Sequence, residues 1–237
     1  MHLNGDNIEK ILDEVYVVHN FLSEEELAEV FEELNLVDWN IDTMYHYRDA
    51  KSLRKFEDRL TKILDDDTLS FPPFDNVIRR YPTQGMDPHV DRQNYQNLLF
   101  EIIVDENFEG EKVENGLMWY AFILYLNDDF TGGEICYPEF GVEYKPKVGD
   151  LVIHETSIVH AVNKVKEGYR YTHSSGANKK VYFNKKLYEA IPTPNSREYR
   201  GVLLNYSADH ARKSGEPSWN KRLRDYMLDY VYNPETY

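Results

Sequence analysis

Apolar and polar positions repeat along this chain with two different periods, and the change falls near residue 76. The β-branched run Val15-Tyr16-Val17-Val18 predicts a strand. Ser23 then caps a helix, with Glu26 as its reciprocal partner and Glu24 and Glu25 suiting the positive end of the helix dipole. Leu27, Val30, Phe31 and Leu34 follow at helical spacing. A second helix is expected over 49–64, with Leu53, Phe56, Leu60, Ile63 and Leu64 on one face and Phe71-Pro72-Pro73-Phe74 breaking the pattern. Both helices read as cover for a sheet.

Beyond Asn76 the period shortens to that of strands. They are expected over 77–81, 98–104, 119–126, 135–137, 142–144, 151–154, 159–162 and 170–174, with turns at 127–133 and 146–149. Residues 105–116 are acidic, carry glycine and lack periodicity, which predicts an exposed loop. Short strands at this spacing suit a sandwich or barrel, and a double-sheet jelly roll accommodates them. The fold class is therefore mostly β with flanking helices (α+β). One structural domain is expected, in three stretches: 1–75 with the first strand and supporting helices, 76–176 as the core, and 177–237 as an extension. In the extension 191–195 reads as loop, and Leu223, Tyr226, Met227 and Tyr230 predict a helix over 219–232.

Composition narrows the partners. The 237 residues carry a formal net charge of −15, which argues against a nucleic acid, whose phosphates call for basic patches. The charge is uneven: residues 176–237 hold 11 Lys and Arg against 7 Asp and Glu, leaving −19 on the first 175. The basic tail either docks on the acidic body or meets an acidic or oligomeric partner. Cys136 is the single cysteine, so no internal disulfide forms and a reducing compartment is expected. No apolar stretch approaches the roughly 20 residues of a membrane span, and the first residues do not resemble a secretory signal. The expectation is a soluble, cytoplasmic protein.

Asp87-Pro88-His89-Val90-Asp91 carries the chemistry. On an extended segment residues two apart share a face, so His89 and Asp91 converge. A lone His-x-Asp is weak evidence, but Gly149 to Val162 reads strand, turn, strand and supplies two more histidines. His160 begins the second strand and is the expected third ligand. His154 ends the first, as an alternative ligand, a packed core histidine or a group behind the ligands. Two imidazoles and one carboxylate leave coordination positions open and suit non-haem Fe(II) oxygen chemistry. Arg170, ten residues after His160, is the cation expected to grip the carboxylate of a chelating cosubstrate.

The stretch from 77 to 172 resembles the catalytic core of the Fe(II)/2-oxoglutarate-dependent oxygenases, most closely the prolyl 4-hydroxylase-like branch. The matching pieces are Arg80-Tyr81-Pro82, the His-x-Asp, Leu124 to Asp128, Gly132-Gly133-Glu134, Tyr137-Pro138, Pro146 to Val152, His160-x-Val162 and Gly168-x-Arg170-Tyr171. The resemblance implies a double-stranded β-helix with His89, Asp91 and His160 on Fe(II). It implies that Arg170 pairs with the distal carboxylate of 2-oxoglutarate and that Tyr125 hydrogen-bonds it. Tyr81 would line the cosubstrate pocket, with Thr172 a further candidate. O2 is then the second cosubstrate, ascorbate a candidate reductant, and the products are succinate, carbon dioxide and a hydroxylated substrate. The chain departs from that pattern at Ser174-Ser175-Gly176, where an aromatic residue is usual, at Arg170, where many members use lysine, and at His154, where an apolar or aromatic residue is more usual. These departures bear on the substrate. A prolyl residue in a peptide or protein is the first expectation, and a free amino acid or other small metabolite the second. A cupin-like metal protein that does not use 2-oxoglutarate is the rival class, together with a non-catalytic relative; no ligand of the set is missing here.

Overall fold

Ser23 caps its helix as its sequence context dictates. Its Oγ accepts the Glu26 N–H at 3.2 Å, and the Glu26 carboxylate accepts the Ser23 N–H at 2.9 Å. The helix, α1 (Glu24–Leu34), buries Leu27, Val30 and Leu34. The computed structural model describes residues 3, 5–39, 46–72, 75–91 and 99–191. These are mostly β, with few helices. By proximity along the backbone the chain divides into two compact units, one of Met1–Asp91 and Met118–Lys179, the other of Arg92–Leu117 and Lys180–Tyr237.

The first unit opens with a hairpin of β1 (Ile8–Leu12) and β2 (Val15–Val18). The single helix expected over 49–64 is two, α2 (Lys51–Arg54) and α3 (Glu57–Leu64). Between them the Phe56 N–H bonds Leu53 O, an i→i+3 link that tightens the chain and interrupts the α-helical ladder. The break lets Phe56 turn into the core, where it meets Phe21 edge-on at 6.2 Å. Helical spacing alone does not register a one-residue change of pitch.

The remaining strands are β3 (His46–Tyr47), β4 (Leu69–Ser70), β5 (Val77–Arg80), β6 (Met86–His89), β7 (Ile103–Val104), β8 (Lys112–Tyr125), β9 (Thr131–Gly132), β10 (Ile135–Tyr137), β11 (Val142–Tyr144), β12 (Leu151–Glu155), β13 (His160–Val162), β14 (Val165–Glu167) and β15 (Arg170–Asn184). Nine form one sheet, with the path β1-β2-β12-β8-β15-β5-β3 and with β4 and β7 both on β15. A four-stranded sheet runs β11-β10-β13-β6, and β14 pairs with β9. Alternation sorts the large sheet's residues to two faces. Phe122, Leu124, Leu151 and Ile153 pack with the helices' Leu27, Val30, Leu53 and Leu60. Ile123, Tyr125 and Val152 pack instead with Ile135 and Tyr137 of the small sheet. His154 continues the Val152 face and is thereby aimed at the small sheet.

The strands expected over 15–18, 135–137 and 142–144 occur with those bounds, and the others differ in length. β8 and β15 run to 14 and 15 residues, so residues 112–116 of the expected loop are strand. That stretch is largely exposed, and its order comes from the backbone ladder, which leaves no hydrophobic signature. Of the strand expected over 98–104, residues 99–101 are helical and only β7 is strand.

In the second unit β7 pairs with the end of β15, Val104 opposite Tyr182 and Ile103 opposite Phe183. Asn184 caps a short helix, α4 (Lys185–Ala190), absent from the sequence reading, by accepting the Leu187 N–H at 3.3 Å. The helix expected over 219–232, most of the loop over 191–195 and most of the basic tail lie outside the described residues. Among the described residues no helix is long and apolar enough to cross a membrane.

Candidate metal and cosubstrate site

His89 ends β6 and His160 begins β13, and the two are register partners across the small sheet. Their rings lie 4.3 Å apart between centroids. Each ring has its Nδ1 beside a local carbonyl, His89 at 2.8 Å from Asp87 O and His160 at 3.1 Å from Ile158 O. A carbonyl only accepts, so both Nδ1 atoms carry the hydrogen and both Nε2 lone pairs are free to bind a metal. Those Nε2 atoms face Asp91, His89 at 3.7 Å from Oδ1 and His160 at 3.7 Å from Oδ2. One ligand atom from each of His89, Asp91 and His160 falls within 4.8 Å of the others, a spacing that can hold a metal ion.

The electrostatics suit that use. Burial pushes the His160 pKa down to about 4, so the imidazole is neutral near pH 7. Burial alone would raise the Asp91 pKa, but a hydrogen bond with His154 and the neighbouring imidazoles outweigh it and hold the carboxyl below its ordinary range. Two imidazoles and one carboxylate with open positions fit non-haem Fe(II).

Arg170, 1% exposed, lines the same cavity as the three ligand candidates, a space of about 490 Å³. Its Nη1 donates to Thr172 Oγ1 at 3.3 Å and its Nη2 to Tyr125 Oη at 3.1 Å. Nε is buried without a partner, and no carboxylate pairs with the guanidinium among the described residues. A buried cation left so is costly, and an anionic ligand supplies what is missing. Close approach shapes this corner: Gly133 sits at φ 69°, where a Cβ would lie 3.0 Å from Arg170 Cδ.

Tyr125 and Thr172 therefore lie behind Arg170. Tyr81 is placed differently. It follows β5 with its backbone N–H on Gln84 Oε1, and its side chain is not among those lining the cavity. Arg80 lines it in company with Ile78, two residues back on the same face of the strand. Strand alternation from Ile78 was the available signal for Arg80. Tyr137, to which the sequence assigned no role, touches His154: its hydroxyl lies 3.1 Å from His154 Nδ1. Burial pushes the Tyr137 pKa well up, so the phenol keeps its hydrogen.

No protein-family model matches the sequence, and no curated protein matches it. Solved structures do. A viral collagen prolyl hydroxylase from Paramecium Bursaria Chlorella virus-1, as its 2-oxoglutarate complex, aligns with TM-score 0.51 and 17% identity over 72% of this chain and 99% of that one. A truncated form of the same enzyme aligns with TM-score 0.52 and 17% identity over 76% and 99%. The chain has the fold of that hydroxylase. At this identity the likeness speaks to backbone architecture; what the site does must be argued from its own side chains.

Proposed function

We propose that this chain is an Fe(II)- and 2-oxoglutarate-dependent dioxygenase that hydroxylates an unactivated C–H bond. Its two main sheets then serve as the halves of a double-stranded β-helix, with residues 76–176 as the catalytic core. The observation that carries the reading is a pairing: two histidines presenting Nε2 to one carboxylate, and in the same cavity a buried guanidinium that no carboxylate pairs among the described residues.

His89, Asp91 and His160 would hold the iron on one face. When bound, it supplies the redox chemistry that couples O2 and the oxidative decarboxylation of 2-oxoglutarate to insertion of oxygen into the substrate. Arg170 would bind the distal carboxylate of 2-oxoglutarate through charge-assisted hydrogen bonds, held in place by Thr172 and Tyr125. Apolar side chains of Ile78, Met86, Met118, Ile123 and Val162 also line the cavity, where they exclude water and seat the substrate.

The substrate we propose is a prolyl residue in a peptide or protein. The apolar lining suits a pyrrolidine ring, and the viral enzyme with the same fold is a collagen prolyl hydroxylase. Anaerobic titration of the apoprotein with Fe(II) and then 2-oxoglutarate tests the class through the visible charge-transfer band of the chelate. A band in the wild type that is lost in His89→Ala supports it; iron binding with no band overturns 2-oxoglutarate dependence. Turnover of prolyl peptides against free proline and other amino acids then tests the substrate, and hydroxylation of free amino acids alone overturns the peptide assignment.

A further inference from the structure

His154 has no part in the ligand set, yet it is 0% exposed and both of its ring nitrogens are engaged. Nε2 lies 3.2 Å from Asp91 Oδ2, and Nδ1 lies 3.1 Å from the Tyr137 hydroxyl. The direction of the first follows from what each group can do. An ionised carboxylate only accepts, so His154 Nε2 carries the hydrogen it gives to Asp91. The other nitrogen, Nδ1, is held by the Tyr137 hydroxyl, which fixes the plane of the ring. A hydrogen-bonded chain thus links Tyr137 on β10 through His154 on β12 to Asp91. The His154 ring also lies 4.3 Å from the His160 ring, which limits its rotation.

We propose that His154 is a positioning residue for the metal site: its Nε2–H, oriented by Tyr137, occupies a lone pair of Asp91 Oδ2. The carboxylate is thereby biased to meet a metal through one oxygen rather than two, and a coordination position stays open for the cosubstrate. This rests on the proposed function in one respect, that His89, Asp91 and His160 bind a divalent metal. Outer partners of ligands typically contribute 10–100-fold to metal affinity.

The test is Co(II) binding alone, read as a dissociation constant and as the visible spectrum, with thermal melting of each metal-free protein as a control. His154→Leu should weaken Co(II) binding by about 10–100-fold and alter the spectrum while the metal-free protein melts as the wild type does. His154→Gln, whose amide N–H can reach where Nε2 stood, should recover most of the affinity. Tyr137→Phe should show a smaller loss of the same kind, and it decides the matter if His154→Leu fails to fold. Unchanged Co(II) affinity and spectrum in His154→Leu, or in Tyr137→Phe if only that variant folds, overturn the positioning role and leave the proposed function standing. Complete loss of binding in both His154 variants, equal to that in His160→Ala, makes His154 a ligand and also overturns it. A wild type that binds no Co(II) or Fe(II) overturns the proposed function and this inference with it.

Discussion

His89 and His160 are cross-strand partners whose side chains, 71 residues apart in sequence, present the same nitrogen to the same carboxylate. The match depends on register. A slip of one residue between β13 and β6 would turn one imidazole to the other face of the sheet and dissolve the site.

Replacing His160 by alanine should therefore lower Fe(II) affinity by more than about 100-fold, beyond the range of outer-partner effects. The measurement is a metal titration alongside far-UV circular dichroism. Retained affinity with an intact fold would show that the third ligand lies elsewhere.

Arg170→Met should separate two quantities that usually move together. With metal bound, 2-oxoglutarate affinity should fall by about 10–100-fold, the equivalent of roughly 1.5–3 kcal/mol for a charge-assisted hydrogen-bonded contact. The metal-free, cosubstrate-free protein should be no less stable in urea, because the change removes a buried cation that no carboxylate pairs among the described residues. A large stability loss with normal 2-oxoglutarate binding would make Arg170 a structural residue.

Acid stability offers a third check. His173 is fully buried, its Nδ1 donates to Asn76 O at 2.8 Å, and burial drives its pKa down to about 3 against that bond and the nearby Asp75 charge. The unfolded chain takes up the proton near pH 6.5 and the folded chain refuses it until about pH 3, so stability is complete above 6.5 and declines below it. The decline from this residue approaches about 1.4 kcal/mol per pH unit. His160 contributes with the same sign in the metal-free protein, and His19, whose pKa is raised despite its burial by hydrogen bonds to Glu9 and Asp150, with the opposite sign. The quantity to measure is the difference in urea midpoints between wild type and His173→Phe at pH 7, 6 and 5. A difference that does not change with pH would mean that His173 takes up its proton as readily in the folded protein as in the unfolded chain.

Ser23→Ala should cost about 1 kcal/mol through loss of the helix cap. Glu26→Ala should cost more, since Glu26 also holds Arg59 at 2.6 Å. Urea unfolding of the two variants ranks them, and equal costs would mean the Arg59 pair adds nothing measurable.

How far these features could be read in advance depended on how local they were. The cap at Ser23 is spelled out within four residues. The grouping of His89, Asp91 and His160 was legible because donor types are rare and a two-residue spacing on an extended segment fixes a shared face. The break at Phe56 and the long polar arm of β8 were not, since neither alters the apolar pattern. Contacts between sheets were the hardest. Nothing near His154 names Tyr137 as its neighbour, and Arg80 lines the cavity because strand alternation puts it on the face of Ile78.

Because β6 and β13 meet only when the chain has folded, the candidate ligands form no cluster in the unfolded polypeptide. Any metal they hold is therefore a thermodynamic clasp as well as a reagent. At a free concentration 100 times its dissociation constant, a ligand confined to the folded state adds about 2.7 kcal/mol to unfolding. The protein's heat resistance would then track the supply of iron around it, and a chelator would lower the melting temperature before any substrate was met.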